Sequence, residues 1–213
     1  MEKAVFENLK KFEYNCVKLS EAASWAIWDK KDINNLEIIE ENTEKLKGGI
    51  VFIGLNCSAG VPNWKNWQNF HCDGFGDRRL RDLLSGTRYE GAYMTDIIKN
   101  YNNPDAELAV KIFKSYETKR NKDLDFLFQE IEQLKTNNIE MYLFGEKAEW
   151  LFENFVMKHD NFKSFKQKVN KCQRIHHYSG QVTDFEKKAR VQLDLAEPKN
   201  PIENGWKYKP LWG

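Results

Sequence analysis

The chain has 213 residues, 41% of them hydrophobic and 31% charged, with 33 Lys and Arg against 32 Asp and Glu. This composition reads as one globular domain able to bury its own core, and it excludes both a disordered chain and a global field for polyanions. No apolar run approaches the roughly 18 residues of a membrane span, and charges break up the first twelve residues, so the expectation is a cytoplasmic protein with no membrane partner.

The four cysteines, at 16, 57, 72 and 172, form no CxxC pair. Zinc ribbons and disulfide frameworks need closer, paired spacings, so no metal and no cofactor is expected. Charge is uneven along the chain. Residues 1–47 carry eight Lys/Arg against ten Asp/Glu, whereas residues 158–190 carry nine against three.

In chain order, Val5, Leu9, Phe12, Cys16 and Leu19 recur at helical spacing, which predicts a helix over the first 22 residues. A second, polar helix near 36–46 stops at Gly48 and Gly49, so 1–47 reads as an N-terminal helical extension. Gly49 to Leu55 is continuously apolar and short, the pattern of a strand buried on both faces. A long loop, 56–76, follows, then a short helix, "DRRLRDLLSG", with Asp77 as its candidate N-cap and Gly86 as its stop. "GAYMTDII" is the second strand. Residues 104–116 and 119–136 read as helices, the latter with Leu124, Leu127, Phe128, Ile131 and Leu134 on one face. "IEMYLFG" is the third strand, followed by a helix from about 146. "QRIHHYSG" is the fourth strand with its exit loop, and Thr183 with Glu186 makes a capping box for a last helix. The tail, 197–213, with three of the five prolines, reads as an extended wrap.

Strands alternating with helices predict an α/β fold: three layers, α/β/α, around a central, mostly parallel four-stranded sheet, with the α/β core over 48–196 in a single-domain monomer. Sites in such sheets lie beyond the carboxyl ends of the strands. Two of those ends are chemically loaded, at Asn56–Ser58 and at His177–Ser179.

The run "GLNCSAG", "GAYMTDIIK", "YLFGEKA", "HHYSG", in that order, resembles the uracil-DNA glycosylase superfamily, nearest its mismatch-specific and single-strand-selective branches. The similarity spans roughly residues 48–196, with "DRRLRDLL" standing where that family has a short helix after its first-motif loop. Two departures stand out. Cys57 follows the asparagine, and Tyr178 sits between His177 and Ser179, where the family has proline in both places. A strand-separating wedge is also not evident in "GQVTDFEKKA".

The resemblance implies a glycosylase-type hydrolase acting on a flipped, uracil-type base in single- or double-stranded DNA. Asn56 would hold the attacking water, and His177 would stabilise charge on the departing base. Hydrolysis of an N-glycosidic bond needs a positioned water and relief of charge on the base. An asparagine is no strong base, so the reaction would lean on positioning and electrostatics. Gly54, Leu55, Cys57 and Ser58 would line the first-motif end of the pocket. Phe70 or Phe75 would stack on the base, and Trp64 and Trp67 add aromatic content in the same loop. Thr95 and Asp96 would face the pocket floor, with His71, Asp73 and Asp77 as further polar groups. Ser179 and Gly180 would meet a phosphate, and Lys166, Lys168 and Arg174 would add phosphate contacts.

Plainer roles compete at each position: a turn-capping Asn56, a neutral core His177, a loop aromatic that packs as a lid. A non-catalytic relative that binds nucleic acid or a nucleotide-like ligand is the alternative function. A thiol enzyme using Cys57 is the third.

Overall fold

The computed structural model describes residues 1–14, 16–57, 65–72, 74–99, 101, 103–178 and 185–195. The chain opens with α1 (Lys3–Lys11), which buries Phe6 and Leu9. A two-strand hairpin, β1 (Glu13–Tyr14) and β2 (Val17–Lys18), and a single turn, α2 (Leu19–Ala22), interrupt what the periodicity reads as one continuous helix. Next come β3 (Ser24–Trp25), α3 (Glu37–Glu41), a 3-10 turn at Thr43–Lys45, and β4 (Lys47–Asn56). The middle of the chain supplies α4 (Phe75–Leu84), β5 (Ala92–Ile98), α5 (Ala106–Ser115) and α6 (Glu117–Gln133). The last part supplies β6 (Ile139–Phe144), α7 (Gly145–Leu151) running into a π turn at Phe152–Val156, α8 (Phe162–Lys166), β7 (Val169–Ile175) and α9 (Phe185–Gln192).

The sheet has five strands, in the order β3-β5-β4-β6-β7, one more than the four expected. The four anticipated strands, β4 to β7, are mutually parallel, and β3 pairs antiparallel with β5 at the edge, Trp25 opposite Tyr93. Residues 1–47 are therefore part of the domain and not an added helical extension. Two-residue strands carry no periodicity of their own, which is why β3 leaves no trace in the sequence pattern. The fourth strand also begins earlier than its apolar pattern suggests, at Val169, and ends at Ile175, so both histidines lie past it.

Strand alternation sorts the core into two layers. Val51, Ile53, Leu55, Tyr93, Ile97, Met141, Leu143 and Cys172 pack with α1, α5, α6 and α7 on one face. Phe52, Met94, Tyr142, Phe144 and Ile175 pack with α4, α9 and Phe70 on the other. The helices thus cover both faces of a mixed sheet. Asp105 caps α5, accepting from the backbone N–H groups of Glu107 and Leu108 at 3.0 Å each. Because β5 and β6 lie on opposite sides of β4, the strand order reverses beside β4, and the crevice of such a sheet opens above that reversal.

Candidate functional site

The carboxyl ends of β4, β5 and β6, and the segment after β7, converge with the loop 65–72 and the first turn of α4. In the β4–β5 ladder Gly54 stands opposite Asp96, and Asn56 opposite Ile98. Their shared level brings the chemistry together.

Asp96 is 4% exposed, and its Oδ1 fills the space over Gly54: a Cβ built there would lie 2.2 Å from that oxygen and 3.7 Å from Cζ of Phe70. Asn69 donates from Nδ2 to Asp96 Oδ2 at 2.9 Å and to the Ala22 carbonyl at 3.0 Å. Both hydrogens of that amide are thereby used. Burial pushes the Asp96 carboxyl up to about 6, against the lowering effects of Asn69 and Lys99.

Phe70, at φ +66°, turns its ring inward, 6.1 Å from Tyr178 and 6.3 Å from Phe144 between centroids. Tyr178 packs edge-on against Phe144 at 4.9 Å and stacks on His177 at 4.8 Å. Its phenol is pushed well above the usual range, first by burial and then by the carboxyls of Asp77 and Asp96. The Tyr178 hydroxyl therefore stays protonated at neutral pH.

The two hydrogens of Asn56 Nδ2 are shared among the carbonyls of Cys57, Tyr101 and Asn103, at 3.0, 3.1 and 2.9 Å, so at least one bond is bifurcated. It ties the strand end to the segment after β5, which is the plainer, turn-capping role. Three carbonyl partners also fix which end of the amide is nitrogen. Cys57 follows, its carbonyl also accepting from the Asn103 N–H at 3.3 Å.

His177 packs against the turn into α7. Gly145 there has φ +80°, and a Cβ on it would come within 3.0 Å of His177 Cβ. Burial, and secondarily the charge of Lys147, lowers the His177 imidazole to about 4, so it is neutral at pH 7. His176 is also lowered by burial, and its backbone N–H donates to Gln192 Oε1 at 2.7 Å.

Other expected residues are placed elsewhere. Thr95 points to the opposite face, where its hydroxyl accepts from Lys99 Nζ at 2.5 Å; neighbours along a strand face opposite sides, so Thr95 and Asp96 cannot share a floor. Leu55 is buried on that same opposite face. Trp67 is fully buried between Phe6 and Trp25 and offers no stacking face. Phe75 is 74% exposed at the start of α4, its ring covered by Arg79 at 5.1 Å. His71 is structural: Nε2 lies 3.1 Å from the Trp25 carbonyl, and burial lowers the ring to about 4. Asp77 does not cap α4, whose N-cap is Gly74; its carboxylate accepts from the Cys72 N–H at 2.8 Å.

The basic residues before the second motif do not reach the crevice. Lys166 ends α8 and Lys168 precedes β7, which places both at the amino edge of the sheet, a strand length of roughly 20 Å from the site. Lys168 also pairs with Glu132. Nearness in sequence is a poor guide there, because a whole strand intervenes. Arg174 is near the right edge but binds Glu149 on α7 at 2.9 Å. Ser58, Trp64, Asp73, Ser179, Gly180, Thr183 and the tail 197–213 lie outside the described residues.

Asn69, Tyr178 and Gly145 complete the site, and none of them is a candidate on sequence grounds. Tyr178 stands out there only for occupying the place where the resemblance has proline. Gly145 carries a signal, a glycine directly after a strand at the point of reversal. Asn69 carries none. No protein-family model matches this chain, and no curated protein or solved structure matches it either.

Proposed function

We propose that the crevice binds a flipped nucleobase and that the protein is a glycosylase-type hydrolase with a uracil-DNA glycosylase-like arrangement of its four parallel strands. The observation that carries this reading is the corner formed by Asp96, Phe70 and Tyr178 beside Asn56. It offers an apolar aromatic wall, one largely buried polar group for the edge of a planar heterocycle, and an amide of fixed orientation next to both. With its nitrogen held by three carbonyls, Asn56 has its carbonyl oxygen as the end that accepts from a water. That water would add to the sugar carbon while the bonding pair of the C–N bond leaves with the base. His177, neutral, acts as a donor to the developing charge and not as a cation. Phe75, at the exposed start of α4, gives a nucleic-acid strand an aromatic ring to lie against.

The test is incubation of labelled oligonucleotides carrying uracil, hypoxanthine or a mismatch with wild type, Asn56→Ala and His177→Ala proteins. Alkali-labile strand breaks that vanish in Asn56→Ala are expected; no break on any substrate by a folded wild type would reject hydrolysis. A second reading, a non-catalytic relative binding nucleic acid or a nucleotide, is favoured by one observation. His177 is stacked on Tyr178 and packed on Gly145, an arrangement that stabilises the turn without chemistry.

A further inference from the structure

Asp96 carries one oxygen that the protein satisfies and one that it does not. Oδ2 accepts from Asn69, whose nitrogen is pinned as a donor by its second bond to the Ala22 carbonyl. Among the described residues no other group hydrogen-bonds this carboxyl. The charged and titratable groups around it come from four elements: Lys99 at the end of β5, Asp77 in the first turn of α4, Glu130 on α6, and Tyr178 after β7. Lys99, the one cation among these four, directs its ammonium to Thr95 and Glu130 on the far face. Oδ1 therefore projects over Gly54 and beside Phe70 with its lone pairs unmatched. Oδ1 is not sealed from solvent, so this oxygen is the one part of the carboxyl that a ligand's donor can reach.

We propose that Oδ1 of Asp96 sets the specificity of this crevice, and that the site takes a heterocycle whose edge bears an exocyclic amine in preference to the oxo counterpart. The proposal rests on the base-binding reading above, and it departs from the uracil-type base that the resemblance implies. A carboxylate accepts from an amine such as cytosine N4, whereas the carbonyl of an oxo base sets two acceptors against each other. Phe70 and Tyr178, in contact with each other at 6.1 Å and inclined by 55°, form one aromatic wall near this carboxyl.

The same geometry says what Asp96→Asn does. The carbonyl oxygen of the new amide stays on the Asn69 N–H, since Asn69 has only donors to offer there. The NH2 group then occupies the place of Oδ1. An acceptor becomes a donor at one atom, with shape unchanged, and the preference should invert. Lowering the pH does this without mutation. Asp96 titrates at about 6, and with Oδ2 still accepting from Asn69 the proton goes to Oδ1.

The experiment is an NMR titration of the full chain, which follows millimolar affinities, with two matched pairs of free bases: cytosine against uracil, and adenine against hypoxanthine. At pH 7.5 wild type is expected to bind the amino member of each pair at least about fivefold more tightly, the lower end of the discrimination that specific base-edge contacts give. Asp96→Asn should bind the oxo member better. Wild type at pH 5 should lose its preference for the amino member, an arm that stands even if the variant does not fold. An oxo preference in wild type at pH 7.5, or a ratio that neither the variant nor pH alters, overturns the proposal and leaves base binding intact. Failure of all four bases to bind wild type overturns base binding itself, and the specificity claim with it.

Discussion

The carboxyl of Asp96 occupies the volume that any side chain on Gly54 would need, Oδ1 lying 2.2 Å from the position of a Cβ there. The two residues face each other across the β4–β5 ladder, and each explains the other. Gly54→Ala should therefore force the carboxyl aside and destabilise the fold by about 1–3 kcal/mol, the usual cost of overpacking a full core. Removing the obstruction in Gly54→Ala/Asp96→Ala should recover part of the loss, a coupling of about 1 kcal/mol or more in urea denaturation. Strict additivity of the two substitutions would mean that the carboxyl does not lie where it is placed.

Asp96 should also leave a signature in stability against pH. Its folded pKa of about 6 lies above the ordinary carboxyl value of 3.8. Between those values the folded state binds more protons than the unfolded one, so this group's contribution falls as pH rises through the window and is fully unfavourable above it. His71 and His177, lowered to about 4, act in the opposite sense, favouring the fold as pH rises towards 6.5. Subtracting wild type from Asp96→Asn cancels the histidines. The variant should be more stable by about 3 kcal/mol at pH 7.5, the free energy of a roughly hundredfold change in proton affinity, with the gap closing near pH 4. A gap independent of pH would show that burial does not raise the Asp96 carboxyl.

What the chain discloses about itself follows from where its signals are local. The continuous apolar runs of β4, β5 and β6 announce a buried parallel sheet, and Asn56 and His177 stand out because they follow apolar strand patterns. Gly54 and Asp96 can be picked but not joined, since register between two strands is not written in either. Thr95 falls on the wrong face for a related reason: the residue pair is legible, the direction of its alternation is not. Lys166 and Lys168 look close to the crevice in sequence, yet the seven residues of β7 separate them from it. Asn69 sits in an irregular loop whose path only tertiary contacts determine.

The turn at Gly145 positions His177, and it can be moved selectively. With φ at +80° and the His177 Cβ 3.0 Å from a new methyl group, Gly145→Ala should cost about 1–2 kcal/mol for the left-handed backbone alone. The methyl also displaces the imidazole from its buried place. Its pKa, followed through the ring-proton shifts, should then climb from about 4 towards the ordinary imidazole value of 6.5. A destabilised protein whose His177 still titrates near 4 would show that the ring does not depend on this turn.

Phe75 separates binding of a strand from binding of a base. It is 74% exposed, so Phe75→Ala should leave thermal unfolding nearly unchanged. If the start of α4 stacks against a nucleic acid, affinity for a single-stranded oligonucleotide should drop by about 1–3 kcal/mol, roughly five- to 160-fold, while affinity for free bases stays the same. Equal losses for both ligands would place Phe75 inside the base site, and no loss for either would remove it from the interface.

On the far side of the sheet, Lys99 and Glu130 form an ion pair at 2.7 Å with side chains only 2% and 0% exposed. Thr95 and Tyr93 hold the two ends, the Tyr93 hydroxyl 3.4 Å from Glu130 Oε1. Burial raises the Glu130 carboxyl, and the neighbouring ammonium opposes that rise. Beside the pair is a cavity of about 150 Å³ lined by Tyr14, Lys119, Lys122 and Phe126 among others, with Lys119 held by Asp123 at 2.6 Å. Removing one partner strands the other in low dielectric, so Glu130→Ala should cost about 3–5 kcal/mol. Replacing both, as in Lys99→Met/Glu130→Leu, exchanges the desolvated charges for packed apolar volume but leaves the buried Thr95 and Tyr93 hydroxyls without these partners, so it should cost less than Glu130→Ala and more than nothing, about 1–3 kcal/mol. Because Thr95 belongs to this network and Asp96 to the crevice, the double replacement should also leave base binding unaltered. A loss of base affinity in a folded double variant would show that the two faces of β5 are coupled through the strand.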